Sequence, residues 1–261
     1  MTHRYTVRPG DADREVLLAA LWTAGAVGVW ERDDELAAWF PEPVPDVPGG
    51  GRWEAEPDHD WSQVWKAGLE PVEVGRLVVA PSWTDPRPSD AILIDPGMAF
   101  GTGHHATTRL CLAALQQLDL SGARVLDVGT GTGVLAIAAA RLGAAHVVAV
   151  DTDPDAVAAA RANAACNRVD VDVRWGTVEA ATPGPFDVVV ANLLTDVVIG
   201  LAGDLLAAAA PGGTLVVSGI SVERANEVAA CLAALGAGVA AVATEGGWVA
   251  IGTGRPPGDP Y

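Results

Sequence analysis

Hydrophobic positions change period along this 261-residue chain. From residue 124 onward, short valine-rich runs alternate with alanine-rich stretches, the pattern of a parallel sheet covered by helices on both faces. Residues 124–128 read as a strand, 134–142 as the helix after it, 146–151 as a second strand and 154–167 as a second helix. Pro154 suits a helix start, where its missing N–H would be unpaired anyway. Residues 170–174, 186–191 and 214–218 read as the third, fourth and fifth strands. A helix over 196–210 stops at Pro211-Gly212-Gly213, and another spans 222–235. The last runs, 238–243 and 248–252, lie too close for a crossover helix, so they form a hairpin and one edge strand runs antiparallel.

The first part has another rhythm. Residues 5–8, a helix from 13 to 24, and runs at 27–31 and 36–40 predict a small β-α-β-β unit. The Pro/Gly-rich segment 41–51 continues neither a helix nor a central strand. It reads as a loop replacing an element, because 52–56 looks like another strand. Residues 60–66 then read as a connecting helix, with Trp61 and Trp65 at helical spacing as packing residues. The organisation predicted is a small α+β domain over 1–56, a linker helix over 57–70 and an α/β domain over 71–261.

Composition narrows the class. Half the residues are hydrophobic, yet no apolar run approaches the roughly 20 residues of a membrane span. The start, Met1-Thr2-His3-Arg4-Tyr5, lacks the apolar core of a secretory signal, so the cytoplasm is the default. Cys111, Cys166 and Cys231 have neither metal-ligand nor disulfide spacing and are expected as small core residues in a reducing compartment. A net charge of -17 argues against direct nucleic-acid binding, which rests on phosphate contacts, and leaves room for a basic partner. No metal site is expected, and a monomer is the default.

The chemistry concentrates at Asp127-Val128-Gly129-Thr130-Gly131-Thr132-Gly133. A strand turning through three glycines into a helix brings backbone close to a ligand. Dinucleotide sites use G-x-G-x-x-G/A, whereas bulky Val134 stands where that third small residue would fall. Asp127 would repel a pyrophosphate and attract the ammonium of a methionine moiety. The turn therefore favours S-adenosylmethionine over NAD. Asp151, ending the second strand, suits a ribose diol. Gly176, Thr177 and Val178 follow the third strand, where an adenine edge would lie.

Three blocks together resemble the PrmA-type methyltransferases that modify protein eleven of the large ribosomal subunit. They are Asp95-Pro96-Gly97-Met98-Ala99-Phe100-Gly101-Thr102-Gly103-His104-His105-Ala106-Thr107-Thr108, the Asp127–Gly133 turn, and Ala191-Asn192-Leu193-Leu194, with Ser218-Gly219-Ile220 in further support. The resemblance covers residues 60–252. It implies a seven-stranded Rossmann-like class I methyltransferase sheet, mostly parallel with a C-terminal antiparallel hairpin, behind a small ferredoxin-like N-terminal domain that holds the ribosomal substrate. Residues 1–56 look like a shortened version of that domain, lacking its second helix. It further implies cofactor contacts from Thr108, Gly129, Asp151 and Asn192, with Phe100, Gly101 and Thr107 nearby. Thr108 has a plain alternative as a residue of the 109–118 helix start. A related lysine methyltransferase of an electron-transfer flavoprotein shares the catalytic blocks but lacks the first domain.

Methyl transfer to an amine needs a neutral nitrogen aligned with the sulfur–methyl bond, so positioning dominates. Asn192, with a carbonyl from the following turn at Leu193, is the candidate aligner. His104 and His105 are candidates for proton removal or, in so glycine-rich a loop, for capping and hydrogen bonding alone, and the loop 97–103 is a candidate lid. Trp248 is expected in the core. An NAD-dependent oxidoreductase is the rival from another class, disfavoured by Val134, by Asp127 and by the lack of a hydride-transfer residue set.

Overall fold

The computed structural model describes residues 2–8, 17, 20–21, 24–26, 28–32, 35–45, 47, 49–56, 69–86, 88–95 and 99–254. The chain divides into two units, Met1–Gly68 and Leu69–Tyr261. In the first, β1 (Thr2–Val7), β2 (Gly28–Arg32), β3 (Glu35–Phe40) and β4 (Arg52–Glu56) form an antiparallel sheet in the order β2-β3-β1-β4. Leu17 and Leu21, both helical, pack with Tyr5, Val7, Leu36, Ala38 and Phe40. The loop before β4 is pinned by the Tyr5 hydroxyl, which accepts from the Gly51 N–H at 2.5 Å and donates to the Val47 carbonyl at 3.2 Å. Most of the expected 13–24 helix, the connecting helix at 60–66 with Trp61 and Trp65, and Gly97 and Met98 of the candidate lid lie outside the described residues.

The second unit opens with β5 (Val72–Val74), β6 (Leu77–Pro81) and β7 (Ile92–Ile94), a small sheet the sequence reading passed over. Two of its strands have only 3 residues, too few to display a period. There follow α1 (Ala106–Gln116), β8 (Arg124–Val128), α2 (Val134–Arg141), β9 (His146–Asp151), α3 (Pro154–Asn167), β10 (Asp172–Trp175) and β11 (Phe186–Asn192). The chain continues through α4 (Thr195–Ala208), β12 (Ala209–Ser221), α5 (Ala225–Ala234), β13 (Val239–Glu245) and β14 (Trp248–Thr253). The seven strands run β10-β9-β8-β11-β12-β14-β13.

All neighbours from β10 to β12 are parallel, and β14 is antiparallel to both β12 and β13. The antiparallel strand is therefore not at the edge, as expected, but one place in. The second arm of the hairpin inserts beside β12 and leaves β13 outermost, largely exposed and uncharged until Glu245.

Alternation along the strands feeds two apolar layers. Val125, Val147, Ala149, Val188 and Val190 face the layer holding Leu112 of α1, Ile137 of α2 and Val157 of α3. Leu126, Val148, Val150, Val189 and Ala191 face the one holding Val198 of α4 and Val228 of α5. Cys111 is buried, but Cys166 is exposed and Cys231 half-buried, which corrects the expectation of three core cysteines: Cys166 lies on the outer face of α3, and Cys231 packs at the edge of the core with its thiol toward the Ile199 carbonyl of α4. Among the described residues no helix is long and apolar enough to cross a membrane.

The strand leading to the site is fastened by two buried amides of α3. Asn167 accepts from the Leu93 N–H at 2.8 Å and donates to its carbonyl at 2.7 Å; Asn163 makes the same pair with Asp95 at 2.9 and 3.0 Å. Asn167→Leu strands both Leu93 groups in the core, at about 1–3 kcal/mol for each unpaired group. Urea denaturation should show a loss of roughly 2–4 kcal/mol with an unchanged m-value.

Candidate cofactor and acceptor site

A cavity of about 930 Å³ opens at the carboxyl ends of β8, β9 and β11. Strand order reverses direction between β8 and β11, the switch point at which ligands bind in open α/β sheets. The turn after β8 forms its floor. Gly129, Gly131 and Gly133 have φ of +72°, +54° and +84°, the left-handed region that costs side-chain-bearing residues about 1–2 kcal/mol. Space also demands glycine: a Cβ at Gly129 would strike the Leu193 side chain and one at Gly131 the Phe100 carbonyl. Gly133 instead permits close packing of α2 on α3, with a Cβ there 3.1 Å from Ala160. It does not line the cavity.

Asp127 lies beneath the turn, fully buried. Its Oδ2 accepts from the Thr130 hydroxyl at 2.7 Å and the Ala136 N–H at 3.1 Å, while Oδ1 has no partner among the described residues. Burial pushes its pKa up to about 7 against the opposing pull of those bonds. The residue read from sequence as facing a ligand ammonium thus braces the turn from behind. Asp151 does face the cavity. One of its oxygens accepts from the Gly131 N–H at 2.9 Å and the other from the Asp153 N–H at 3.0 Å, so the carboxylate is held with free lone pairs directed at a diol. Asp153 caps α3 through the Asp155 N–H at 2.9 Å. Gly176 and Thr177 line the wall beyond, and Val178 is not part of it.

Phe100, Thr107, Asn192 and Leu193 also line the cavity; Gly101, His104 and Thr108 do not. The Gly101 carbonyl accepts from the Thr132 hydroxyl at 2.7 Å, and the Phe100 carbonyl from the Thr132 N–H at 2.9 Å. These bonds lock the 100–101 segment onto the glycine turn. Buried Thr108 meets the Asn192 amide at 3.4 Å. Helix α1 begins earlier than expected, and Thr108 lies inside its first turn; the cap is His105, whose Nδ1 is 2.7 Å from Thr107 Oγ1 and accepts from the Thr107 N–H at 3.4 Å. His105, not His104, is the histidine at the cavity. Its ring stands edge-on between Phe100 at 5.4 Å and Trp248 at 5.0 Å. Burial first, and the Arg109 charge second, hold its pKa below the ordinary histidine value. Trp248 corrects a second expectation: it is wall, not core. Phe100 and Leu194 are 57% and 73% exposed, giving the mouth an apolar rim.

Residues 44–256 match the family described as ribosomal protein L11 methyltransferase (PrmA). The chain belongs to this family. It is 44% identical to the ribosomal protein L11 methyltransferase of Thermus thermophilus over 241 residues, covering 92% of this chain and 94% of that relative. The enzyme of the same name from Deinococcus radiodurans is 44% identical over 229 residues, 83% of this chain and 84% of its own. The crystal structure of a ribosomal protein L11 methylase from Lactobacillus delbrueckii subsp. bulgaricus aligns with a TM-score of 0.67 at 32% identity, covering 72% of this chain and 99% of that one. This member of the family is an S-adenosylmethionine-dependent methyltransferase of the class I fold, and the oxidoreductase reading falls away. The cavity suits that cofactor: a side-chain-free cradle at Gly129 and Gly131, a preset carboxylate at Asp151, and no lysine or arginine among the described residues of its lining.

Two variants separate cradle from fold. Gly129→Ala should weaken S-adenosylhomocysteine binding by at least about 10-fold in calorimetry, given the ~1–2 kcal/mol backbone cost and the clash with Leu193. Gly122→Ala, at φ +75° with open space around it, should lower stability by a similar amount and leave that affinity unchanged. The raised pKa of Asp127 sets a pH dependence. Its folded value of about 7 exceeds the ~3.9 of an unfolded aspartate, so the folded state holds more protons between them. The group's contribution to stability is present at low pH and lost as pH rises through about 7. Asp127→Asn should flatten the fall of Tm between about pH 5 and 8; an unaltered slope would refute the assignment.

Proposed function

We propose that this chain transfers methyl groups from S-adenosylmethionine to amino groups of ribosomal protein L11, the protein its relatives are named for, at lysine side chains and/or the N-terminal amine. The carrying observation is the placement of Asn192 at the end of β11, on the cavity wall, with its amide nitrogen directed at Thr108. That orientation, assigned from the bonding pattern, leaves Oδ1 free to accept from an amine. Leu193 follows, its N–H bonded to the Ser218 carbonyl at 3.0 Å. Its own carbonyl passes over Gly219, at φ +84°, where any side chain would collide with it. Two acceptors at one point can take two amine protons and aim the nitrogen lone pair.

When bound, S-adenosylmethionine supplies a methyl group on a sulfonium. Of the residues lining the cavity, Gly129, Gly131, Asp151 and Thr177 would hold the donor, Phe100, Thr107 and Asn192 would stand between donor and acceptor, and Gly101, Thr108, Asp127 and Gly133 hold these positions from behind. Asn192 and the Leu193 carbonyl position the acceptor. Of the two candidate histidines, His105 lines the cavity and His104 does not. A neutral ring there adds no positive charge to a cavity that must admit an ammonium, and Nδ1, already an acceptor, leaves the ring proton on Nε2.

Residues 1–56 serve to hold the ribosomal substrate, 57–70 to link and 71–261 to catalyse; the chain works as a monomer in the cytoplasm without touching nucleic acid directly. Labelled methyl transfer to a panel of unmodified ribosomal proteins tests this reading. Label should appear on L11, and Asn192→Ala should lower kcat by about 10²-fold, the scale of a misplaced reacting group, while S-adenosylhomocysteine still binds. Label on another protein, or none, would overturn the assignment.

A further inference from the structure

Three separate segments build the aromatic wall of the cavity: Phe100 from a loop, His105 from the cap of α1, and Trp248 from the final hairpin. One side chain joins the last two. Arg109 reaches Glu245 Oε1 through Nε at 2.8 Å and Nη2 at 2.6 Å, and its Nη1 donates to the His104 carbonyl. Glu245 is the residue paired with Trp248 across the β13–β14 turn. The Gly246 Cα lies against the same helix start, a Cβ there being 3.7 Å from Ala106. One guanidinium therefore fixes both the backbone just before His105 and the strand end opposite Trp248. Its planar fork matters, because a single ammonium cannot aim donors at two acceptors in this way.

The pair is half exposed, with side chains 28% and 42% accessible. Pairs of this kind add little to stability, and no catalytic or donor-binding role falls to either residue. We propose that Arg109 and Glu245 are positioning residues that set the spacing of Phe100, His105 and Trp248, and so the slot through which the alkyl stem of the acceptor amine enters. The donor half of the cavity, at Gly129, Gly131 and Asp151, is braced independently by Asp127 and Asn163. Loss of the pair should therefore weaken acceptor binding and spare the donor. This inference rests on the amine-transfer reading.

The test uses the full chain, unmethylated L11 as acceptor and S-adenosylhomocysteine as donor-site probe. Arg109→Met and Glu245→Gln should each raise KM for L11 by about 10-fold or more, with kcat within about threefold and S-adenosylhomocysteine affinity within about twofold. These are the signatures of lost acceptor binding. Arg109→Lys, keeping the charge but not the fork, should recover only part of the loss. If Arg109→Met does not fold, Glu245→Gln carries the test alone, since it keeps shape and backbone. An unchanged KM in Glu245→Gln, or a loss that follows donor affinity instead, overturns the positioning role. Wild-type chain that fails to label L11 overturns the amine-transfer reading and this inference with it.

Discussion

Taking a carboxylate out of water costs several kcal/mol unless partners replace the lost hydration. Asp127 has no exposed surface, and its two partners, Thr130 and Ala136, both belong to the turn and helix that follow it. Burial is tolerable only when the chain takes this turn, and the turn is held only while the carboxyl lies beneath it. From there the bonding spreads outward. The Gly129 and Thr130 N–H groups reach the Val150 carbonyl at 2.9 and 3.1 Å, joining the turn to β9. Gly131 orients Asp151, Thr132 captures the 100–101 segment, and the Thr132 carbonyl is taken by Asn163 at 2.9 Å. Each wall of the donor site is thus one or two hydrogen bonds from a single hidden acid.

The side of the cavity proposed for the acceptor is organised differently. Its elements come from the start of α1, the end of β11 and the last hairpin; β12 joins the two strands through backbone ladders, and side-chain bonds tie α1 to both of them. The Asn192 amide leans on Thr108, the Leu193 carbonyl on the emptiness of Gly219, and the aromatic wall on the Arg109 fork. The glycine-turn side of the cavity is therefore built into the fold itself, whereas the side proposed for the acceptor is assembled on it from surface-near parts, which are easier to alter without unfolding.

The central sheet was legible because each strand fills two layers at once, so Val147 to Val150 and Val188 to Ala191 stand out as unbroken apolar runs. The glycine turn was legible because backbone geometry leaves few residue choices there. What escaped depended on contacts across long separations or on elements too short to carry a period. Strands β5 and β7 fall in the second group. The sequence places the helix start at Thr107-Thr108 instead of at His105 because threonine is among the usual cap residues and histidine is not. Trp248 was misplaced because hydrophobicity marks an indole as buried without saying whether protein or cavity covers it. No pattern joins Arg109 to Glu245, 136 positions apart. Asp127 was singled out for the right place and the wrong direction: strand alternation, applied from Val125, puts its side chain into the helical layer and away from the cavity.

The cavity straddles the point where the chain changes the side on which it adds strands. Gly129 and Asp151 come from the half that grows toward β10, Asn192 and Gly219 from the half that grows toward β12. A molecule bridging these residues acts as a removable rivet between two half-sheets. At one hundred times its dissociation constant such a ligand adds about 2.7 kcal/mol to folding stability, a large share of what holds a domain together. Folding stability in this domain therefore rises with occupancy of the cavity: the same residues that would recognise the donor let the donor fasten the two half-sheets together.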